Sequence, residues 1–312
     1  MTGSRAASSL FIIGGTTASG KSAAALALAA RIEGVIVNAD SVQLYRDLPT
    51  LTARPGARDE AAIPHRLYGI LDAATPASAA LWLERAQAVI GEVGRSGRPP
   101  ILVGGTGLYL QALLRGLVAV PAIDPGVRAA VRALPGAEVH GFLRREDPVM
   151  ATRLAPGDRQ RCMRALEVVR ATGRSLAAWQ DEAAARRTGS CEVRGVALLP
   201  DRPLLRRRIE ARMRGMLDAG ALDEVADLRR RHADPLALPI AKAHGLRELL
   251  ELQDGRCGVE EAVQRTSVRV RQYAKRQATW FRHQLPALQV VEATGEEPSI
   301  VDRLLSAYAS SC

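Results

Sequence analysis

The feature that most constrains this chain is a glycine-rich loop between an apolar run and a helical one. Residues 15–22 read GTTASGKS and fit the phosphate-binding pattern G-x-x-x-x-G-K-[ST]. Apolar residues 10–13 before the loop predict a buried strand, and residues 22–32 after it predict a helix. This order directs backbone N–H groups and a helix N-terminus at an anion. The loop therefore predicts a di- or triphosphate site in an α/β fold, with an ordinary glycine turn as the alternative.

The loop also predicts individual ligands. The Lys21 ammonium is expected to reach the outer phosphate, and the Ser22 hydroxyl is expected to hold Mg²⁺. We therefore predict Mg²⁺ as the cofactor and Ser22 as the protein ligand to the metal. The candidate phosphate-binding residues of the loop are Gly15, Thr16, Thr17, Ala18, Ser19, Gly20, Lys21 and Ser22.

Strand and helix patterns alternate over the first third of the chain. Apolar runs at residues 34–37 and 101–103 predict two further buried strands, and residues 81–90 predict a helix between them. Strands joined by crossover helices form a parallel sheet, whose ligands bind beyond the carboxyl ends of the strands. We therefore predict an α/β fold with a P-loop-type parallel sheet flanked by helices. The P-loop, Asp40 and Thr106 are expected to meet at one crevice.

The pattern then becomes helical. Residues 117–194 contain several proline and glycine breaks and no signal for a central strand, whereas residues 193–199 predict a strand that returns to the sheet. This favours a helical insertion domain, 117–194, within a catalytic core formed by residues 1–116 and 195–312. The C-terminal part is predicted to be helical after Pro203, over residues 204–217, 222–232, 245–252 and 259–285.

Two short polar segments follow the predicted strands. Asp40 follows the second strand and could bind magnesium through water, act as a general base, or cap a following helix. Residues 104–107 (GGTG) follow the third strand, where glycines allow the backbone to approach a ligand closely. Thr106 could donate its hydroxyl to a phosphate there, and a structural turn is the alternative.

Charge points to a polyanionic partner. The net charge of the chain is +10. Residues 262–285 carry six cations with interleaved aromatic residues and no acid, which favours contact with nucleic-acid phosphates over a solvated helix face. A second cluster, Arg159, Arg161 and Arg164, lies in the predicted insertion.

Cysteine usage and hydropathy bear on the compartment. The four cysteines are widely spaced and fit neither a zinc pattern nor a disulfide framework. No apolar run has the length of a membrane span, and residues 1–9 lack the apolar region of a signal peptide. We therefore expect a cytoplasmic protein with reduced cysteines and no membrane partner.

Taken together, seven segments resemble the motifs of the tRNA dimethylallyltransferases, also called tRNA isopentenyltransferases. The last segment, RQYAKRQATWFR, is much more specific than a P-loop. Thr16 and Gly157 depart from the proline and asparagine that are usual in the family. The segments follow the family's order, at residues 15–22, 39–46, 52–55, 104–109, 156–168, 208–212 and 271–282.

The resemblance implies a reaction, namely transfer of a dimethylallyl group from its diphosphate to the exocyclic amine of the adenosine 3′ of a tRNA anticodon. Asp40 is then the expected general base. Lys21, Thr106 and Arg212 are expected to stabilise the leaving diphosphate, with Arg208 as a second arginine on the phosphates. The implied partners are dimethylallyl diphosphate and the tRNA anticodon stem-loop, and the protein is expected to be a monomer.

The resemblance also implies residues that contact tRNA. Ser41 and Gln43 are expected to read the adenine base after it leaves its stack. The basic segments of the insertion and of the C-terminal part are expected to grip the stem-loop. The full predicted set is Asp40, Ser41, Val42, Gln43, Thr106, Arg128, Gln160, Arg161, Cys162, Met163, Arg164, Lys242, Arg247, Arg271, Lys275 and Arg276.

Three other functions compete with this one. A P-loop kinase for a small metabolite would turn over ATP and would give no role to the basic helix. A prenyltransferase for free adenine nucleotides would not need the insertion domain. An RNA-binding module with an inactive loop is disfavoured because Lys21, Ser22 and Asp40 are all present.

Overall fold

The computed structural model describes residues 10–118, 120–185 and 194–309. They form two compact units. The first contains the P-loop and is built from the N-terminal and C-terminal parts of the chain, and the second is built from the part between these two. The first division falls between Leu114 and Arg115, close to the predicted start of the insertion at residue 117. The return to the first unit falls within residues 186–193, outside the described residues, as does the predicted strand residue Val193.

A six-stranded sheet forms the centre of the first unit, and its strands are all parallel, as the sequence predicts. The strand order is β3-β2-β4-β1-β5-β6, so β1, which precedes the P-loop, is flanked on both sides. The carboxyl ends of β1, β2 and β4 therefore lie side by side at one edge. The strands are β1 (Phe11–Gly15), β2 (Val35–Asn38), β3 (His65–Arg66), β4 (Pro100–Gly104), β5 (Arg194–Leu198) and β6 (Gln289–Val291).

Helices cover both faces of this sheet, which explains why its central strands are apolar throughout. Side chains alternate along β1, so Phe11 and Ile13 pack into one core and Ile12 into the other. The helices of this unit are α1 (Lys21–Ile32), α2 (Ala57–Ala62), α3 (Ala79–Arg95), α4 (Gly107–Arg115), α10 (Arg202–Asp218), α11 (Ala221–Arg231), α12 (Leu246–Gln253), α13 (Val259–Gln284) and α14 (Ile300–Ala309).

The second unit consists of helices. Val131, Leu143 and Leu166 belong to its own apolar core. Cys162, predicted to contact tRNA, is fully buried in that core, so its side chain is not accessible and the prediction is wrong for this residue. The helices are α5 (Pro125–Arg132), α6 (Val139–Glu146), α7 (Pro148–Arg153), α8 (Arg159–Thr172) and α9 (Leu176–Ala185).

The start of one helix and several whole elements differ from the sequence-based prediction. Helix α10 begins at Arg202 rather than after Pro203, because Asp201 caps it by accepting a hydrogen bond from the Leu204 N–H and proline is tolerated in a first turn. The elements α2, α4, β3, β6 and α14 were not predicted. No helix in the described part is long and apolar enough to cross a membrane.

Candidate active site

The P-loop leads into the N-terminus of α1. Gly20 has a left-handed φ of 83° and precedes the helix without a side-chain cap. The N–H groups of Lys21 and Ser22 therefore open the helix without intrahelical acceptors. The Ser22 side chain is exposed. These are the features of an anion site at a helix N-terminus.

Lys21 lies between the loop and two charged residues. Its Nζ donates a hydrogen bond of 2.5 Å to the Thr16 carbonyl oxygen. Burial lowers the pKa of Lys21 to about 8, against a smaller upward effect of the nearby Asp40 carboxylate and a further lowering by Arg212. The structure thus brings three of the predicted catalytic residues, from three separate segments, within electrostatic reach of one another.

The two predicted arginines of α10 differ in their partners. The Arg208 Nε donates to the Ala18 carbonyl oxygen at 2.7 Å, and its guanidinium pairs with Glu296 at 2.6 Å. Arg212 has no ion pair among the described residues, and burial lowers its pKa while Asp40 raises it. Arg208 is therefore committed to holding the loop, whereas Arg212 is free to bind an anion.

A turn after β2 orients Asp40. The Asp40 N–H donates to Asn38 Oδ1 at 2.7 Å, and the Val42 N–H donates to Asp40 Oδ1 at 3.1 Å. Asn38 is itself buried and receives a hydrogen bond from the Trp82 indole at its carbonyl oxygen. No helix follows Asp40 before α2, so the helix-capping alternative is wrong. Asp40 keeps Oδ2 available for a substrate proton.

Thr106 is tied to the same turn. Its Oγ1 accepts a hydrogen bond of 3.0 Å from the Ser41 N–H and lies 3.5 Å from Ser41 Oγ. Its own N–H donates to the Ala39 carbonyl oxygen at 3.2 Å. The predicted meeting of Asp40, Thr106 and the P-loop at one edge of the sheet is therefore present in the structure.

The side-chain amide of Gln43 is already hydrogen-bonded within the protein. Its amide donates both hydrogens inside the protein, to the carbonyl oxygens of Thr52 at 2.9 Å and Ala53 at 2.7 Å. The prediction that Gln43 reads the adenine base is therefore limited, because its Nε2 has no hydrogen left to donate to one. Only Gln43 Oε1 remains for such a contact.

The glycines of residues 104–107 make room for protein groups. A Cβ at Gly104 would collide with the Ala39 backbone, and one at Gly105 with the Gln277 amide. A Cβ at Gly107 would lie 2.5 Å from the Trp280 ring. These glycines therefore let the residue after β2 and the side chains of α13 pack closely against this segment.

Sequence reasoning missed Gln277, although it lies in the most specific motif. Gln277 is 5% exposed. Its Nε2 donates to the Gly105 carbonyl oxygen at 2.9 Å, and its Oε1 accepts from the Thr17 N–H at 2.8 Å. The Thr16 N–H is likewise bound, to the Leu198 carbonyl oxygen at 3.3 Å. Two predicted phosphate-binding amides are thus used within the protein, because the loop is fastened to α13 and β5.

This packing predicts the effect of one methyl group. Gly107→Ala is expected to lower the free energy of unfolding by about 1–3 kcal/mol, because the added Cβ overlaps the Trp280 ring. Urea unfolding of the whole chain measures the effect. Gly91→Ala within α3 is the matched control: no heavy atom lies within 4 Å of its Cβ, so stability is expected to stay equal or rise. Equal stability of Gly107→Ala and wild type would contradict the close packing.

The six cations of α13 are not equivalent. Arg265 pairs with Glu251, Arg269 with Glu248, and Arg282 with Glu292, so the charges of these three arginines are partly neutralised within the protein. Three cations have no ion pair among the described residues, and all were predicted to contact tRNA: Arg271, Lys275 and Arg276. Of these, Arg271 and Lys275 line a groove between α10 and α13, whereas Arg276 lies against the ring of Tyr273.

Lys242 and Arg247 are exposed and also unpaired in the described part of the chain. In the second unit, Arg128 and Arg164 lie 4.0 Å and 3.5 Å from Glu167, which is buried. Arg132 faces the same carboxylate at 3.8 Å, so three arginines share one acid and the cluster keeps net positive charge. Arg161 pairs with Asp158 at 3.3 Å, Gln160 is exposed, and Met163 is partly buried.

The residues present fit Mg²⁺ bound together with phosphate. The described residues contain no cluster of three or more His, Cys, Asp or Glu side chains that could hold a metal on its own. Mg²⁺ characteristically takes one or two protein oxygens and completes its shell with water and substrate phosphates. The exposed Ser22 hydroxyl at the start of α1 suits that role.

Comparison with known proteins agrees with this geometry. The sequence profile described as "IPP transferase" matches residues 43–284, and that described as "Isopentenyl transferase" matches residues 8–75. The chain belongs to the IPP transferase family. A family member from Rhodopseudomonas palustris strain BisB18, named tRNA dimethylallyltransferase, is 52% identical over 284 residues, which cover 90% of each chain. One from Sphingopyxis alaskensis with the same name is 48% identical over 277 residues, 88% of this chain and 90% of that one.

Two solved structures of IPP transferases resemble the fold. A eukaryotic dimethylallyltransferase, described as acting on tRNA, aligns with a TM-score of 0.81 at 26% identity, over 96% of this chain and 77% of that one. The tRNA isopentenylpyrophosphate transferase of Bacillus halodurans aligns with a TM-score of 0.69 at 29% identity, over 97% and 95% of the two chains. The α/β fold with its helical additions is therefore that of the family.

Proposed function

We propose that this chain transfers a dimethylallyl group from dimethylallyl diphosphate to the exocyclic amine of the adenosine 3′-adjacent to the anticodon in tRNA, releasing diphosphate. One observation carries the proposal: a cationic phosphate loop and a carboxylate share a single crevice. Lys21 and Arg212 supply the positive charge, and Asp40 lies within electrostatic reach of both. The relatives at about half identity are named for this reaction.

The first half of the chemistry is loss of diphosphate. The bond between the allylic carbon and the diphosphate oxygen breaks, and its electron pair leaves with the diphosphate. Lys21, Arg212, the free amides at the start of α1 and the Thr106 hydroxyl are the groups that stabilise this charge. Mg²⁺ held by Ser22 would neutralise further charge on the diphosphate when bound.

The second half is attack by the adenine amine. Its nitrogen forms the new bond to the allylic carbon and must lose a proton. Asp40 accepts this proton, since its Oδ1 is held by the Val42 N–H while Oδ2 remains open. The adenosine reaches the crevice only after leaving its stack, as in other base-modifying enzymes.

The first unit alone supplies the P-loop, Asp40, Thr106 and Arg212, which supports action as a monomer. A tRNA substrate is consistent with a cytoplasmic protein, which we also propose. Basic residues support the tRNA assignment on each unit taken separately. In the second unit, Arg128, Arg132 and Arg164 share one carboxylate, that of Glu167. In the first unit, the supporting basic residues are Lys242, Arg247, Arg271, Lys275 and Arg276.

The unpaired cations of α13 predict a salt effect. Arg271→Ala and Lys275→Ala are each expected to reduce the slope of log affinity against log salt by about one unit for an anticodon stem-loop. Arg265→Ala is the matched control: this arginine already pairs with Glu251 at 2.6 Å, so the slope should stay at its wild-type value. Titrations at four or more salt concentrations measure it. Equal slopes for all three variants would contradict the assignment of this surface to RNA.

Mass analysis of nucleosides tests the function itself. Unmodified tRNA is incubated with the full chain, dimethylallyl diphosphate and Mg²⁺, then digested. The expected product is dimethylallyl-adenosine at the position 3′ of the anticodon, formed without ATP. Modification of free AMP but not tRNA would favour the nucleotide prenyltransferase, and steady ATP turnover stimulated by a metabolite would favour the kinase.

A further inference from the structure

One peptide group of the P-loop is hydrogen-bonded at both ends. The carbonyl oxygen of Thr16 accepts a hydrogen bond of 2.5 Å from the Lys21 ammonium. The N–H of Thr17 belongs to the same peptide group and donates to Gln277 Oε1 at 2.8 Å. The peptide is trans and planar, so its C=O and N–H point in opposite directions. The orientation of this one plane therefore links the glutamine of α13 to the lysine of the P-loop.

The Gln277 amide is fixed in the orientation that suits this peptide. Gln277 is buried, and its Nε2 donates to the Gly105 carbonyl oxygen at 2.9 Å. Exchanging the two ends of the amide would place Oε1 against the Gly105 carbonyl and Nε2 against the Thr17 N–H, which are pairs of like groups. Gly105 leaves room for the amide, since a Cβ there would overlap Nε2. Gln277 therefore presents a fixed acceptor to the P-loop.

The backbone that follows this peptide is strained and is held from a second side. Ala18 has a φ of 59°, in the left-handed region that is unfavourable for a residue with a Cβ. Such a conformation persists where neighbouring groups hold it in place. The Ala18 carbonyl oxygen accepts from Arg208 Nε at 2.7 Å. Gln277 and Arg208 thus hold the chain before and after the turn that returns Lys21 to Thr16.

We propose that Gln277 is a positioning residue that orients the peptide group between Thr16 and Thr17 and, through it, directs the Lys21 ammonium to the leaving diphosphate. This rests on the proposed function. Without the acceptor at Oε1, rotation of the peptide would turn its N–H toward the ammonium and set donor against donor. An ammonium has three hydrogens, so the bond to the Thr16 carbonyl oxygen places it and leaves two for diphosphate oxygens. Gln277 acts through Lys21, because both ends of its own amide are bound within the protein.

A double-mutant cycle on single-turnover dimethylallyl transfer tests this role. Gln277→Met keeps the length of the side chain and removes both hydrogen bonds, so transfer should slow about tenfold. In a Lys21→Ala background the same change should cause no further loss, because the ammonium that it misplaces is gone. In a Thr106→Val background it should again slow transfer about tenfold. A further loss with Lys21→Ala, no loss with Thr106→Val, or a wild-type rate for Gln277→Met alone would overturn the proposal.

Gln277→Glu gives a second readout, which serves also if Gln277→Met does not fold. A protonated carboxyl can accept from the Thr17 N–H and donate to the Gly105 carbonyl oxygen, whereas a carboxylate cannot donate. Burial favours the protonated form of such a carboxyl. The transfer rate, taken relative to wild type at each pH, should therefore recover as the pH falls from about 8 to about 5. A low rate that does not recover would contradict the role of the two bonds.

Gln253→Met is the matched control, because the Nε2 of Gln253 donates to the Leu222 carbonyl oxygen at 3.0 Å, between α12 and α11. It should leave the transfer rate unchanged. Affinity for inorganic diphosphate supplies a readout that does not require transfer: Gln277→Met should weaken it about tenfold, but not in the Lys21→Ala background. Absence of transfer by the wild-type chain would overturn the proposed function, whereas equal diphosphate affinity of Gln277→Met and wild type would overturn the role of Gln277.

Discussion

Asp40→Asn is expected to slow single-turnover transfer by about a hundredfold to ten-thousandfold, the usual worth of a general base. The fold should be retained, because an asparagine Oδ1 can accept the same 3.1 Å hydrogen bond from the Val42 N–H. The buried Asn38 that orients the turn is untouched. Rapid-quench measurement with saturating tRNA and dimethylallyl diphosphate isolates the chemical step.

A second effect of this substitution must be separated from the first. Asp40 raises the pKa of Lys21, which stands at about 8 in the wild type. Without the carboxylate that pKa falls further, so some Lys21 loses its proton near neutral pH. At pH 6 Lys21 stays protonated, and a rate defect that persists there belongs to the lost base.

Asp72→Asn supplies the control for lost charge. Asp72 is exposed and pairs with Arg46 at 3.0 Å on the surface, so the change removes one negative charge without touching the crevice. Its transfer rate should equal that of wild type. If the rate of Asp40→Asn at pH 6 lies within twofold of this control, Asp40 is not the general base and only orients the turn.

Hydrophobic periodicity and local motifs were sufficient to predict the elements around the P-loop. The strand, loop and helix around residues 15–22 follow from hydrophobic pattern and glycine spacing, and so does the edge at which Asp40 and Thr106 meet it. The strands that were missed have two and three residues. Elements this short carry no alternation that distinguishes them from a loop, and β6 pairs with β5 only because α13 returns the chain to the sheet edge.

What the sequence could not predict is which groups are already used within the protein. Gln43 and Gln277 look alike in sequence, as polar residues in motifs that suit ligand binding. The structure commits both amides to backbone partners, from loops 9 and 172 residues away along the chain. The same holds for Arg269, whose carboxylate partner Glu248 belongs to α12. Such contacts depend on tertiary packing, which a single sequence does not display.

Lys21→Ala is expected to reduce transfer by about a hundredfold or more, with anticodon stem-loop affinity nearly unchanged. The reason is its position: its ammonium contacts the Thr16 carbonyl oxygen inside the P-loop rather than the basic surface. Affinity for inorganic diphosphate should fall in parallel. Transfer close to the wild-type rate would show that the diphosphate does not bind in the P-loop.

The lowered pKa gives this lysine a signature in pH. Only the protonated form attracts diphosphate, so the contribution of Lys21 to diphosphate affinity should not change with pH well below 8 and should weaken above 8, by up to tenfold per pH unit. Lys21→Arg keeps its charge over this range and should lose that dependence. Calorimetry in buffers of different ionisation enthalpy should detect more proton uptake per diphosphate bound near pH 8 for wild type than for Lys21→Arg, and the difference is the proton taken up by Lys21.

The lowered pKa of Lys21 also makes the stability of the folded chain depend on pH. The unfolded chain holds the Lys21 proton up to its ordinary value of 10.5, whereas the folded chain releases it near 8. Between these pH values the unfolded state binds more protons, so the contribution of Lys21 to stability rises with pH. Lys21→Met should therefore be more stable than wild type at pH 7, and its advantage should shrink from pH 8 to 10.5. An advantage that stays constant over this window would show that Lys21 is not held in a desolvated phosphate loop.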